Sequence, residues 1–238
     1  RIGLTHFDHI IALIALFRPG PMNMLDDFIK RKHGKTKISF DHPLLENILK
    51  DTFGIMLYQE QVMKVANVIA GYTMAEADIL RRIMGKKKEE EMAEQREYFI
   101  KGAQKNKIPK NTAEKIFDTM AYFAGYGFNK SHSAAYALIS YRTAYLKANY
   151  PQEYMAALIS SESGNTDKIA KYIKECERMG IRVLPPDINQ SFSLFTVVGN
   201  DIRFGLAAIK NIGAAAVKGV IEERAANGPF KSFADVIE

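Results

Sequence analysis

The chain has 238 residues, of which 47% are hydrophobic and 25% are charged, and its formal net charge of +6 favours a polyanionic partner such as nucleic acid or nucleotide. This length fits one large or two moderate domains, and no apolar run approaches the roughly 20 residues that cross a bilayer. The single cysteine, Cys176, excludes an internal disulfide, and no Cys or His spacing typical of a zinc site occurs.

The N-terminus has no features of a signal or transit peptide. Because it also lacks an initiator Met, we expect a fragment of a longer chain. A lone cysteine without a disulfide partner is typical of reducing compartments, so the expected location is cytoplasmic.

Helical periodicity dominates the chain up to about residue 180. The apolar spacing and the Gly and Pro stops predict helices over residues 61–70, 74–84, 89–104, 112–124, 132–149, 152–162 and 166–179. Helix caps are expected at Thr73 with Glu76, at Asn111 with Glu114, at Ser131 or Ser133, and at Asn165 or Thr166.

The sequence pattern changes near residue 180, where short β-rich stretches split by Pro-Pro and Gly-Asn replace the helices. The last stretch, residues 207–224, resembles one half of a helix-hairpin-helix, a module whose backbone amides commonly hold DNA phosphates. A plain amphipathic helix after a glycine turn is the alternative. We therefore predict a mainly α protein, with a helical domain over 1–180 and a short β segment leading into a helix-hairpin-helix-like region over 181–238.

Basic residues concentrate in three places that could contact phosphates. The first, residues 28–37, carries Lys30, Arg31, Lys32 and Lys35 without an acidic residue among them. It is either a solvated surface loop or a sequence-independent contact with a DNA backbone.

The second basic stretch, residues 80–91, places two adjacent arginines on a helix and three lysines after a glycine. Cations at a helix C-terminus are explained by the helix dipole, but the arginine pair one turn earlier is not. Only Asp78 lies at pairing distance along the helix from Arg81 and Arg82, and one carboxylate cannot fully offset this much positive charge. The cluster is easier to explain if it binds an anion.

The third stretch, residues 125–132, nearly forms a phosphate-binding P-loop, but Asn129 replaces its second glycine and a helix precedes it. Ser131 and His132 are neighbours that point apart on a helix, which argues against a Ser/His catalytic pair. The two glycines instead allow a sharp turn, and the next helix N-terminus beside Lys130 is a candidate anion site. Tyrosines follow at positions 136, 141 and 145, where core packing is favoured over base stacking.

Carboxylates arranged for two-metal catalysis are missing. Asp26 and Asp27 are neighbours whose side chains should diverge, and the acids at 89–91 lie on a solvated helix. The sequence therefore has cations suited to phosphate but lacks the acids for chemistry on it.

Nine stretches spread over the whole chain resemble the alpha subunits of bacterial DNA polymerase III, the C-family of replicative polymerases. They are ALFRPGPM (15–22), DFIKRKHG (27–34), HPLLENIL (42–49), FGIMLYQEQVM (53–63), ADILRRIMGKKKEEEMAEQR (77–96), FAGYGFNKSHSAAYALISYRTAYLKANYP (123–151), NTDKIAKYIKEC (165–176), LPPDIN (184–189) and RFGLAAIKNIG (203–213). The resemblance implies a fingers domain followed by the start of a helix-hairpin-helix region.

The family resemblance also implies an activity, DNA-directed DNA synthesis by nucleotidyl transfer. Its Mg²⁺-binding aspartates belong to a palm domain that precedes this segment, so we expect the fragment alone to be inactive. The fingers of the family bind the incoming dNTP and the template-primer DNA, and Arg18 is expected near the palm junction. The implied dNTP-binding residues are Arg81, Arg82, Lys86, Lys130, Ser131 and His132. The expected DNA-binding residues are Lys30, Arg31, Lys32, Lys35, Lys87, Lys88, Asn129 and Lys210.

Partners and alternatives follow from the same resemblance. In the full-length protein we expect the sliding clamp, the clamp-loader tau subunit and a proofreading exonuclease as partners, and no membrane. Two alternatives stay open: a helical scaffold whose basic face docks another protein, and an error-prone paralogue of the same polymerase.

Overall fold

The computed structural model describes residues 2–86, 89–232 and 234–237, apart from the side chain of Glu89. The chain divides into two compact units, Arg1–Ser140 and Tyr141–Glu238, called here the first and second units. The boundary predicted near residue 180 instead marks a change of secondary structure, because a helix ends at Arg178 and the first strand begins at Val183. As a domain boundary it stays a prediction.

The first unit is helical throughout its described residues. Its helices are α1 (Phe7–Leu16), α2 (Leu25–Lys32), α3 (Glu46–Leu49), α4 (Gln59–Ala70), α5 (Met74–Lys86), α6 (Glu89–Lys105) and α7 (Lys110–Ala124), and α8 (Lys130–Asn149) begins in it. Short 3₁₀ turns lie at Pro21–Met24, Pro43–Leu45 and Lys50–Thr52.

The second unit joins helices to a small sheet. It contains α9 (Pro151–Ser161), α10 (Thr166–Arg178), β1 (Val183–Leu184), β2 (Thr196–Val198), β3 (Asp201–Arg203), a 3₁₀ turn (Leu206–Ala208), α11 (Ala214–Asn227) and α12 (Ala234–Ile237). Strand β3 is central: its Ile202 pairs with Val183 of parallel β1 and with Val197 of antiparallel β2. The prediction of a mainly α fold with a small β segment is confirmed.

Two of the four predicted caps are confirmed. The Glu76 carboxylate accepts a hydrogen bond from the Thr73 backbone N–H at 2.8 Å, and the Glu76 N–H donates to the Thr73 hydroxyl at 3.2 Å. The Asn165 side chain accepts from the Lys168 N–H at 3.1 Å, which caps α10.

The other two predicted caps are wrong. Helix α7 begins at Lys110, after Pro109, so Asn111 already lies inside it. Helix α8 is capped by Asn129, whose side-chain oxygen accepts from the His132 N–H at 2.8 Å, and not by Ser131 or Ser133. In both cases the helix starts earlier than the capping pattern predicted; Asn129 supplies the cap of α8, whereas α7 starts after Pro109 without a side-chain cap.

Two apolar cores hold the first unit together. One lies among α4, α5, α6 and α7, where Ile69, Leu80, Phe99 and Phe117 are fully buried. The helices α4 and α6 approach so closely there that a Cβ on Gly102 would stand 2.1 Å from the Ala70 carbonyl oxygen.

The other core of the first unit packs α1 and α2 against residues 55–58 and the start of α8. Leu16, Phe28, Tyr58 and Ala137 are its buried members. This core matters for the site below because it fixes the extended segment on which the loop before α8 rests. The second unit has a separate core, in which Met155, Ile159, Cys176 and Ile202 are buried.

Candidate nucleotide and DNA interface

The loop between α7 and α8, residues 125–129, is called here the glycine loop. The Phe128 N–H donates to the Leu57 carbonyl at 3.0 Å, and the Gln59 N–H donates to the Phe128 carbonyl at 3.0 Å, which forms a short parallel bridge. The Gln59 side chain adds a third bond, from its Nε2 to the Gly127 carbonyl at 3.1 Å. The buried segment around Leu57 therefore fixes the backbone from which α8 starts.

Arg18 and Gly20 hold the glycine loop from the side of α1. The Arg18 guanidinium donates to the Tyr126 carbonyl and to the Ala15 carbonyl, both at 2.9 Å, and lies 4.2 Å from the centroid of the Phe128 ring. Gly20 has φ +96°, and a Cβ there would meet the Tyr126 ring at 2.6 Å. The FRPGP motif and the glycine loop thus form one structure.

The N-terminus of α8 is already bonded to a carboxylate of this chain. Both Glu60 oxygens accept from the Lys130 backbone N–H, at 3.0 and 3.1 Å. The Lys130 ammonium lies 5.4 Å from the centroid of the Tyr58 ring, while Ser131 is exposed. An external anion at this helix end would have to share it with Glu60, so the lysine side chain is the more available phosphate contact.

Aromatic rings continue from the glycine loop along α8. The His132 ring lies 5.4 Å from the Phe128 ring and 4.7 Å from the Tyr136 ring, measured between centroids. Tyr136 is 54% exposed, and the tyrosines at 141 and 145 are about half exposed as well. The expectation that these tyrosines belong to the core is wrong, because among the described residues of α8 only Ser133 and Ala137 are buried.

Two arginines of helix α5 bind one carboxylate, that of Asp78. Oδ1 of Asp78 accepts from Nε of Arg81 at 3.0 Å and from its Nη2 at 2.7 Å, and Oδ2 lies 2.7 Å from Nη2 of Arg82. Hydrogen bonding from Arg81 lowers the pKa of the Asp78 carboxyl below its usual value, so the acid is ionised at neutral pH. Two guanidiniums share this single carboxylate.

The end of α5 meets the end of α7 beside the glycine loop. The Ala124 carbonyl oxygen lies 4.0 Å from the position that a Cβ would take on Gly85, and Ala124 directly precedes the loop. Arg81 lies one turn before Gly85 on the same side of the helix, and the exposed Lys86 follows it. The structure therefore places Gly85 of the second basic stretch beside the residue that precedes the glycine loop, although more than 30 residues separate the second and third stretches in sequence.

The first basic stretch divides into two kinds of residue. Arg31 binds the Asp27 carboxylate at 2.8 Å and the Phe53 carbonyl at 3.2 Å, and Lys32 donates to the Gly3 carbonyl at 2.6 Å. These two side chains hold the chain together, whereas Lys30 and Lys35 are exposed to solvent. Of the four residues predicted here, the exposed pair is the better placed for a DNA contact.

The remaining predicted DNA-binding residues lie elsewhere. Lys210 is exposed in the turn before α11, next to Asn211, which has φ +69°. It belongs to the second unit. Lys87 and Lys88 lie outside the described residues.

Metal-binding clusters and membrane-spanning helices are absent from the part of the chain that the structure describes. Within 2–86, 89–232 and 234–237, no group of three or more His, Cys, Asp or Glu side chains is placed to hold a metal ion. Over the same residues, no helix combines the length and the hydropathy that a bilayer crossing requires.

Sequence reasoning missed Glu60 and Gln59, although both lie in the LYQEQVM stretch. They occupy the first turn of α4 and reach α8 and the glycine loop from there. An acid in the first turn of a helix usually interacts with its own helix, so no local signal pointed to a partner 70 residues away.

Comparison with known proteins gives two matching families. Residues 1–107 match the bacterial DNA polymerase III alpha subunit finger domain, and residues 180–238 match the helix-hairpin-helix motif. The chain is similar to proteins named DNA polymerase III subunit alpha. It is 53% identical to that of Chlamydia trachomatis over 98% of this chain and 19% of the relative. It is 50% identical to that of Thermus aquaticus over 97% of this chain and 19% of the relative. It is 51% identical to that of Escherichia coli K12 over 99% of this chain and 21% of the relative. The chain spans about one fifth of the length of these relatives.

Proposed function

This chain belongs to the family of bacterial DNA polymerase III alpha subunits, and from that premise we propose that it is the fingers segment that binds the triphosphate of the incoming dNTP and the template-primer DNA. The proposal assigns the triphosphate to six residues near the glycine loop: Arg81, Arg82, Lys86, Lys130, Ser131 and His132. It assigns the Mg²⁺ ions to carboxylates outside this chain, as the family resemblance implies.

One observation carries the proposal. The end of α5 lies beside the residue that precedes the glycine loop, α8 starts directly after this loop, and Arg18 and the bridge to Leu57 hold the loop in place. Four cationic side chains, those of Arg81, Arg82, Lys86 and Lys130, lie on these ends. The two arginines share the Asp78 carboxylate, and Glu60 bonds to the backbone N–H of Lys130 and leaves its ammonium available, so positive charge remains for an anion.

The contribution of these residues to nucleotidyl transfer is electrostatic. A triphosphate carries several negative charges, and guanidinium and ammonium groups at fixed positions neutralise and orient it. Charge that develops on the phosphates in the transition state is stabilised by the same groups. Activation of the primer hydroxyl is assigned to the residues outside this chain.

Contact with DNA is proposed for two separate surfaces. In the first unit, Lys30 and Lys35 are exposed beside α2 and can neutralise backbone phosphates without reading sequence. In the second unit, Lys210 precedes α11 within the region that matches the helix-hairpin-helix motif. The sliding clamp, the tau subunit and an exonuclease stay predictions for the full-length protein, and neither surface is assigned to them.

The triphosphate assignment is tested in the full-length polymerase with Arg82→Ala and Lys130→Ala. Each variant should lower kcat/KM for dNTP more than tenfold and weaken competitive inhibition by inorganic tripolyphosphate. The matched control is Lys110→Ala, which removes an exposed lysine at the far end of α7 and should change either quantity less than twofold. Changes under twofold for both test variants would contradict the assignment.

The DNA assignment is tested by salt dependence. The log of the DNA association constant should fall linearly with log salt, and removing Lys30 or Lys35 should reduce the slope by about 0.9 for each phosphate that the lysine neutralises. No DNA binding at roughly 50 mM salt, together with tight binding of another protein at this surface, would favour the helical scaffold. The chain by itself should extend no primer with Mg²⁺ supplied, and activity from it would show that catalytic acids were missed.

A further inference from the structure

We propose that Asp78 is an internal competitor for the phosphate ligand: a polyphosphate draws Arg82 away from Asp78, whereas Arg81 stays bound to it. The inference rests on the proposed function, because it concerns the same arginines. It adds that Asp78 makes the site selective for ligands of high negative charge over ligands with a single phosphate.

The two arginines are bound to Asp78 unequally. Arg81 donates two hydrogen bonds to one carboxylate oxygen, and its side chain is only 22% exposed. Arg82 reaches the other oxygen through one nitrogen, and its side chain is 66% exposed. An exposed ion pair with one contact is weak because water screens it and the long side chain loses freedom. Arg82 is therefore the exchangeable partner and Arg81 the anchored one.

Positions along α5 support this division. Arg81 lies on the side of the helix that meets the end of α7 through Gly85, which limits where its side chain can move. Arg82 is turned about 100° further around the helix axis, towards solvent. It can rotate to a ligand without disturbing the packing of Leu80 and Met84 in the core.

Competition explains the selectivity. A phosphate group offers more charge and more acceptor oxygens than a carboxylate, and each additional phosphate adds to the attraction of the nearby lysines. The charge of Asp78, once Arg82 leaves it, also repels the incoming anion. A ligand with several phosphates overcomes both effects, whereas a single phosphate group does so poorly.

The opposite role for Asp78 makes an opposite prediction. If Asp78 served only to orient the two arginines for the ligand, its removal would weaken binding. If Asp78 competes with the ligand, its removal strengthens binding. The sign of the change therefore decides between the two roles.

The test uses Asp78→Asn in the full-length polymerase, with inorganic tripolyphosphate and inorganic phosphate as probes. We expect the inhibition constant of tripolyphosphate to fall at least threefold and that of phosphate to fall more, so that the preference for tripolyphosphate narrows. The amide is of the same size and can still accept from Arg81, so α5 should keep its structure, as checked by circular dichroism. An unchanged or higher constant for tripolyphosphate would overturn the proposal.

A matched control separates competition at this site from a change in net charge. Asp118→Asn removes the same charge from the first unit and also releases an arginine, Arg96, which binds Asp118 between α6 and α7. It should leave both inhibition constants unchanged. In an Arg82→Ala background, Asp78→Asn should lower the inhibition constants by much less than in the wild type, since no exchangeable arginine remains and only the repulsion by the Asp78 charge is removed. An undiminished effect would also overturn the proposal.

Failure of this inference is distinguishable from failure of the proposed function. If Arg82→Ala and Lys130→Ala leave tripolyphosphate inhibition unchanged, the phosphate site itself is misassigned. If those variants weaken inhibition and Asp78→Asn weakens it too, the phosphate site stands and Asp78 orients the arginines instead of competing.

Discussion

The guanidinium of Arg18 lies 4.2 Å from the centroid of the Phe128 ring and bonds to the carbonyl of Tyr126, 108 residues away in sequence. This contact joins the end of α1 to the loop from which α8 begins. Burial lowers the pKa of Arg18, but a guanidinium stays charged at every pH of interest. The backbone position of Lys130 therefore depends on Arg18 through the loop residues Tyr126 and Phe128.

The first prediction concerns the contacts between Arg18 and the glycine loop. Arg18→Lys keeps the charge but cannot donate to the Ala15 and Tyr126 carbonyls from one planar group. Loss of these charged hydrogen bonds should cost about 2 kcal/mol of unfolding free energy. It should also speed hydrogen exchange at the Phe128 amide, which bonds to Leu57. Arg178→Lys, at an 80% exposed side chain, is the control, and unchanged exchange at Phe128 would show that Arg18 does not hold the loop.

The second prediction concerns Gln61, a buried glutamine under the same loop. Its Oε1 accepts from the backbone N–H groups of Leu57 and Tyr58, at 2.8 and 3.0 Å, and its Nε2 donates to the Thr52 hydroxyl at 2.8 Å. Gln61→Leu leaves the buried N–H groups of Leu57 and Tyr58 without a partner and should cost about 3 kcal/mol in denaturant unfolding. Gln59→Leu, which removes one half-buried bond, should cost only about 1 kcal/mol. Equal costs for the two variants would contradict this account.

The third prediction concerns the close approach of α4 and α6. A methyl group on Gly102 would stand 2.1 Å from the Ala70 carbonyl oxygen, and backbone cannot move aside as a side chain can. Gly102→Ala should therefore separate the two helices and cost at least about 3 kcal/mol, at or above the usual range for overpacking.

A substitution at a second glycine tests whether lack of space at Gly102 causes the loss of stability. Gly219→Ala in α11 meets no atom within 4 Å and should be neutral or stabilising by up to about 1 kcal/mol, because alanine favours helix. Thermal unfolding of both variants measures the difference. A Gly102→Ala protein as stable as the wild type would mean that α4 and α6 lie further apart.

The fourth prediction concerns Cys176, which is fully buried in the second unit. Burial raises the pKa of its thiol from 9.0 to about 11. The folded state thus favours the neutral thiol, and the stability that this contributes is complete below pH 9 and is lost as the pH rises from 9 towards 11. The stability gap between wild type and Cys176→Ala should narrow as the pH rises from 9 towards 11.

Thiol reactivity gives an independent measurement of the same burial. At about pH 8 the native thiol should react with a disulfide reagent only as fast as the second unit opens, and rapidly in denaturant. Fast labelling of the folded protein, or a stability gap that stays constant with pH, would place Cys176 nearer the surface.

The helices α4 to α10, their order and the mainly α fold could be predicted from the sequence, because these features depend on residues within four positions of one another. The cap at Thr73 with Glu76 and the pairing of Asp78 with Arg81 and Arg82 also depend on residues within four positions. The cap of α8 was predicted wrongly because Asn129 and the two serines are all capable of capping, and only the backbone geometry selects Asn129. Helix α7 begins at Lys110 without a side-chain cap, which no capping pattern indicates.

What only the tertiary structure decided is which distant residues meet. Glu60 with Lys130, Arg18 with Tyr126, and Gly85 with Ala124 are pairs that no spacing in the chain indicates. The sequence by itself determined that cations are present on α5 and at the start of α8. That the end of α5 lies beside the loop from which α8 starts follows from how the buried faces of the helices pack, and packing depends on the shape of the whole core more than on any local pattern.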